Sequence, residues 1–202
     1  MGKENNLWIG IVLLILVVVA GVIYFVDFEP QYPKEYQYSN GEISFDVEVL
    51  NDIDTNIYFT LGSSNEPFVL NLRNDPASLE DISVTGNLAS RVIGSQGVFI
   101  TIDPYTNLTS TTAIAALEID GVIDNKLLYN KTVASAMTTE YLEYPVITCD
   151  MANNDYVVIY LVLGEQTAVY SDGYCIVVEG TDEEELIRAA DRLVLNLLGI
   201  ME

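Results

Sequence analysis

Ile43, Phe45, Val47 and Val49 alternate with Ser44, Asp46 and Glu48, a period of two that predicts a strand with one buried and one wet face. Shorter apolar runs at 57–61, 68–72 and 98–102 predict further strands, separated by turns rich in Asn, Asp, Gly, Ser and Pro. The stretch 112–128 is ambiguous. Ile114, Leu117, Gly121 and Leu128 suit a helix, whereas EIDGVI reads equally well as a strand edge. Beyond it, YVVIYLVL (Tyr156–Leu163) is apolar on both faces and β-branched, as a central strand is. Gly164-Glu165 turns that strand into 167–170, and Asp172-Gly173 is a hairpin turn into 174–179, so the spacing predicts a three-stranded meander.

The last segment predicts a helix. Thr181 and Glu184 have capping-box spacing, and Asp182, Glu183 and Glu185 set negative charge on the positive end of the dipole. Leu186, Ile187, Ala190, Leu193, Val194, Leu197 and Leu198 form one apolar stripe, Gly199 stands at C′, and Arg188 can pair with Glu184 on the wet face. Together these elements predict an α+β domain: a mixed or antiparallel sheet with a C-terminal amphipathic helix packed on one face.

A different pattern precedes the domain. Residues 7–26 (LWIGIVLLILVVVAGVIYFV) carry no charge, and as a helix they reach about 30 Å, the thickness of a bilayer's hydrocarbon core. Trp8 at one end and Tyr24, Phe25 and Phe28 at the other are placed as interfacial anchors. The competing reading is a cleaved signal peptide, but the apolar run continues past the small residues near Val18 and Ala20. In residues 27–40, Pro30 and Pro33 favour extended backbone and predict a stalk. The expected organisation is a short cytoplasmic tail (1–6), a single transmembrane helix (7–26), the stalk (27–40) and one extracytoplasmic domain (41–202).

Charge and composition narrow the chemistry. Acidic residues number 30 against 8 basic ones, a net charge of −22, which repels phosphate backbones and argues against nucleic-acid binding. The chain has no histidine, which removes the commonest general base and every Ser-His or Cys-His nucleophile system. Lys3 before the span, with Asp27 and Glu29 after it, favours a cytoplasmic N-terminus in the cell membrane. Two N-glycosylation sequons, at Asn107 and Asn130, and the two cysteines point the domain outward. A disulfide between Cys149 and Cys175 would close a loop of about 25 residues, worth ~3 kcal/mol in the chain-entropy account; reduced buried thiols are the alternative in a cytoplasmic setting.

Asp52, Asp54 and Asn56 begin like a calcium loop, D-x-D-x-N. The pattern then breaks, because Ile57 stands where glycine is needed and Ser63 where the bidentate Glu is needed. These residues are at most a weak cation-site candidate, and no metal or cofactor is implied. No G-x-S-x-G, P-loop or G-x-G-x-x-G occurs, so no catalytic residue is assigned and the chain is not expected to be an enzyme. Three functions of different class follow. The leading one is a non-catalytic, membrane-tethered envelope protein working through protein contacts, as an accessory subunit of a surface complex. The second is an extracytoplasmic sensor for a ligand or cation, and the third a hydrolase using a carboxylate pair.

The C-terminal third, with YPVITCD (144–150), CIVVEG (Cys175–Gly180), AADRL (189–193) and LGIM (198–201), resembles uncharacterised archaeal membrane-anchored cell-surface proteins, and its strand–Gly–acid–helix passage is similar to segments of S-layer proteins. That resemblance implies an envelope setting and no activity.

Overall fold

The computed structural model describes residues 12–19, 32–62, 66–106 and 110–202. The chain divides into two units, Met1–Tyr32 and Pro33–Glu202. In the first, residues 12–19 are helical and their side chains exposed. The rest of the expected span, residues 7–11 and 20–26, lies outside the described residues. Among the described residues no helix is long and apolar enough to cross a membrane.

The second unit holds two sheets. Strands β1 (Lys34–Ser39), β2 (Ser44–Asn51), β3 (Asp54–Thr60) and β4 (Pro67–Leu72) form an antiparallel meander in sequence order. One face is apolar, with Phe45, Val47, Val49, Ile57, Leu70 and Leu72 buried. β1 corrects the expected stalk, whose second half is a sheet edge. Pro33 ends just before the strand, where a missing N–H costs no ladder bond, and Tyr36 and Tyr38 turn the same way onto the core. Tyrosines at every second position are a strand signal that the flanking charges disguise.

The second sheet has strand order β5-β9-β10-β8-β6-β7, built from β5 (Ser83–Thr85), β6 (Gly97–Ile102), β7 (Thr132–Met137), β8 (Tyr156–Leu163), β9 (Ala168–Asp172) and β10 (Cys175–Gly180). It is mixed: β10, β8, β6 and β7 run parallel, while β9 pairs antiparallel with β10 and parallel with β5. The expected meander is corrected here. The Asp172-Gly173 hairpin joins β9 to β10 as anticipated, but β10 inserts between β8 and β9 and pairs parallel with β8. Two strands apolar on both faces gain more by lying side by side in the middle of the sheet than by following sequence order. Residues 164–167 therefore cross over the end of β10.

Among the described residues three α-helices, α1 (Leu88–Gly94), α2 (Ser110–Ile123) and α3 (Glu183–Leu197), and two 3₁₀ turns, Pro76–Leu79 and Cys149–Met151, complete the unit. α2 settles the ambiguous 112–128 stretch as helix over its first part, burying Thr112, Ala115, Ile119, Val122 and Ile123. α3 begins one residue later than expected, because Asp182 rather than Thr181 caps it by accepting the Glu185 N–H at 2.9 Å. Arg188 pairs with Glu185 and Asp81 in place of Glu184. Gly199 sits at C′ with φ +69°, as anticipated.

A single core joins both sheets to α2 and α3. α3 packs on the six-stranded sheet through its predicted stripe, yet Ala189, Asp191, Arg192 and Leu195 are buried as well. Asp191 and Arg192 lie against the four-stranded meander, beside Asn74 and Tyr38, so the helix layer lies between two sheets. The molecule is an α+β fold with a mixed sheet and a C-terminal helix on one face, roofed by a second sheet.

Candidate functional site

The far face of the six-stranded sheet is covered by the segment that joins β7 to β8. The β6–α2–β7 crossover uses the helix side of the sheet. Returning past β6 to reach β8 reverses the direction of travel, so the right-handed rule sends the second crossover to the opposite face. Residues 138–155 make that crossing without an α-helix, with one 3₁₀ turn at Cys149–Met151. Cys149 is joined to Cys175 on β10 by the predicted disulfide, with the Cα atoms 5.1 Å apart. Ile147 and Cys149 pack on Val158, Cys175 and Val177 beneath them. Thr101 Oγ1 donates to the Ile147 carbonyl at 2.8 Å, the Met137 N–H to Pro145 O at 3.0 Å and the Ile147 N–H to Met137 O at 2.9 Å. The segment is fastened covalently at one point, by two backbone–backbone hydrogen bonds and by one from the Thr101 side chain.

Its tip faces solvent and is apolar. Leu142 is 80% exposed, with φ +51°, a left-handed conformation rarely taken by a γ-branched residue. Tyr141 meets Tyr105 edge-on with ring centroids 6.2 Å apart, and Tyr105 OH donates to Glu140 O at 3.2 Å. Tyr144 and Val146, also exposed, continue the surface, and Glu140 and Glu143 stand among these side chains in the sequence. A rigid loop that leaves aromatic and aliphatic groups in water has the physical character of a docking surface. The signal was present in the sequence as YLEYPV followed by Ile147-Thr148-Cys149, but without strand or helix periodicity it read as connection.

A second cluster lies inside the fold. Glu118 on α2 and Asp191 on α3 bring their carboxyl groups close enough for each to act on the other's ionisation, and Glu118 Oε2 and Asp191 Oδ1 are buried without a hydrogen-bond partner. Asp191 is fully buried and accepts the backbone and side-chain N–H groups of Asn74 at 2.8 and 2.9 Å. Arg73 Nε lies 3.8 Å from Glu118 Oε1. Burial, then the neighbouring Asp191 carboxyl, raises the Glu118 pKa to about 10 against the pull of Arg73. Burial also raises Asp191. Two neighbouring carboxyls hold one proton between them; the Asn74 donors favour the ionised form of Asp191, so Glu118 is the acid. A glycosidase pair needs access for substrate, and Asp191 is sealed in. The pair's evident work is to tie the meander to both helices.

Glu179 is a third structural carboxylate. It accepts from the Glu165 N–H at 2.9 Å, the Gln166 N–H and Nε2 at 3.4 Å each, and Tyr170 OH at 3.0 Å. Burial opposes its charge, but those donors outweigh burial and hold its carboxyl below the ordinary range. It thereby fixes the chain crossing above β10.

The cation candidates are not brought together. Asp52 lies at the β2–β3 hairpin turn, while Asp54 and Asn56 accept from Asn71 Nδ2, and Asn56 Nδ2 donates to Glu48 and Tyr58 at 3.4 Å. Among the described residues no group of three acidic or cysteine side chains could hold a metal ion. Asn130 is exposed in a turn before β7, with φ +51°. Asn107 lies outside the described residues. No protein-family model matches the chain, nor does any curated protein or solved structure.

Proposed function

We propose that this chain is a membrane-tethered, extracytoplasmic interaction module that docks a protein partner through the tip of the 138–155 crossover. The observation that carries the reading is that loop: disulfide-pinned at Cys149, yet exposing Tyr141, Leu142, Tyr144 and Val146, with exposed Tyr105 packed against Tyr141. Holding the surface rigid before binding reduces the entropy lost on association. The acidic neighbours Glu140 and Glu143 favour a partner whose apolar centre is rimmed by lysine or arginine. The disulfide supports an oxidising compartment, and the uncharged run 7–26 supports an anchor with the N-terminus inside. A role as accessory subunit of a surface complex, in an envelope setting like that of the surface proteins the C-terminal third resembles, fits these features together.

The test is capture from detergent-solubilised membranes. The intact chain should retain a specific partner, and Leu142→Asp, which adds charge at an exposed site without touching the core, should release it. Equal capture by both forms would sink the docking reading. Free, alkylatable cysteines in native membranes would sink the compartment.

A further inference from the structure

The cleft at the opposite end of the six-stranded sheet has a chemistry unlike the rest of the molecule. It has a volume of about 600 Å3 and opens where β8 and β10 begin, beside α1. Its lining carries a cation, Arg91, and no carboxylate, in a chain with 30 acidic residues and 8 basic ones. Arg91 is held in place: its guanidinium lies 5.7 Å from the Tyr174 ring centroid and Nη1 donates to Gly173 O. That leaves Nε and Nη2 as oriented donors, a geometry that matches a carboxylate.

Around this fixed cation stand groups that both donate and accept. Asn153 is occupied by its own loop, accepting from the Asp155 and Tyr156 N–H groups at 2.8 and 3.1 Å. Asn87, Ser90 and Asn154 line the cleft, and among the described residues their side chains make no hydrogen bond. Amides and hydroxyls of this kind pair with sugar hydroxyls, which also donate and accept. The floor is apolar Val157, and a Cβ added at Gly94 or Gly173 would meet nothing within 4 Å, so the space is open. The volume lies in the range of small-ligand sites.

We infer that this cleft binds an acidic saccharide, with Arg91 taking the carboxylate of a uronic-acid unit and Asn87, Ser90 and Asn154 its hydroxyls. Asn153 and Asn154 belong to the far end of the 138–155 crossover, so the site shares that segment with the docking tip but does not use the tip's residues.

The experiment is calorimetric titration of the full chain in neutral detergent with four probes: trigalacturonate, monomeric galacturonate, galactose and inorganic sulfate. Saturable heat is expected with the galacturonates; a stronger response to the trimer marks a polymer as the source, and an equal response marks a free sugar acid. Arg91→Met, which keeps the stem and loses the guanidinium, should weaken binding at least about tenfold, ~1.4 kcal/mol. Gly94→Leu fills the space from the other wall and should abolish binding with the melting temperature unchanged, which keeps the test open should the Arg91 variant unfold. Sulfate binding as tightly as galacturonate, galactose binding unaffected by Arg91→Met, or no heat with any probe would each overturn the assignment.

Discussion

Glu118 keeps a proton at neutral pH that the unfolded chain releases near 4.5, and that difference makes one carboxyl a reporter of the whole fold. Its folded pKa, about 10, lies above the unfolded value. Its contribution to stability is therefore complete below about pH 4.5 and is lost progressively as pH rises toward 10. In Glu118→Gln the amide keeps the shape and does not titrate, so urea midpoints measured from pH 5 to 10 should fall less steeply than in the parent. Parallel slopes would show that the proton is not held. Glu179 has the opposite sign. Its carboxyl is held below the ordinary range, so its stabilising effect is present at neutral pH and fades only in acid, as pH drops through that lowered value. Gly164 belongs to the same latch, since a Cβ there would fall 1.9 Å from Glu179 Oε1 and 2.5 Å from its Cδ. Gly164→Ala must displace the carboxylate from its four donors, and a loss of about 1–3 kcal/mol is expected by chemical denaturation.

At the level of elements, α3 behaves as a core helix and not as a surface one. Leu193 is fully buried between two sheets, so Leu193→Ala should cost about 2–5 kcal/mol. Arg188→Ala, on the solvent side, should cost about 1 kcal/mol or less, because half-exposed ion pairs contribute little. The pair of variants separates a sandwiched helix from a loosely docked one by their melting temperatures. The 138–155 crossover has only a short 3₁₀ turn (Cys149–Met151) and one isolated bridge from Val146 to Met137, and depends on its fastenings. Replacing Cys149 and Cys175 by serine should lower stability by ~3 kcal/mol. Amide exchange in the double variant should quicken over 138–152 before it quickens in β8 or β10; uniform acceleration would mean that the loop is held by the sheet alone.

For the whole molecule, the distribution of charge decides how it meets partners. With a net charge of −22 the domain stands off anionic surfaces and attracts basic ones, and long-range steering of this kind weakens with salt. Association of the docking loop with its partner should slow several-fold between low and physiological ionic strength while dissociation changes little, measured by surface plasmon resonance on the intact protein. A dissociation rate that carries the whole salt effect would place the charges inside the contact. The Arg91 cleft stands out against this field only in its lining, which holds one arginine and no carboxylate.

Strands with strict alternation, the β9–β10 turn, the extent of α3 and the pairing of the cysteines follow from local patterns, and they were legible because periodicity, turn chemistry and capping act over a few residues. β1 and β7 were not, since charged or small side chains hid their period. The sequence could not show that β10 enters between β8 and β9, that a second sheet buries the other side of α3, or that Glu118 and Asp191 meet. Those arrangements depend on contacts beyond the reach of local patterns, from Cys175 with Val158, 17 positions apart, to Asn74 with Asp191, 117 apart, where the choice among neighbours is made by the burial each one completes. The apolar loop tip has the same origin: its residues read as an ordinary connection, and only crossover handedness and the disulfide placed them together in water.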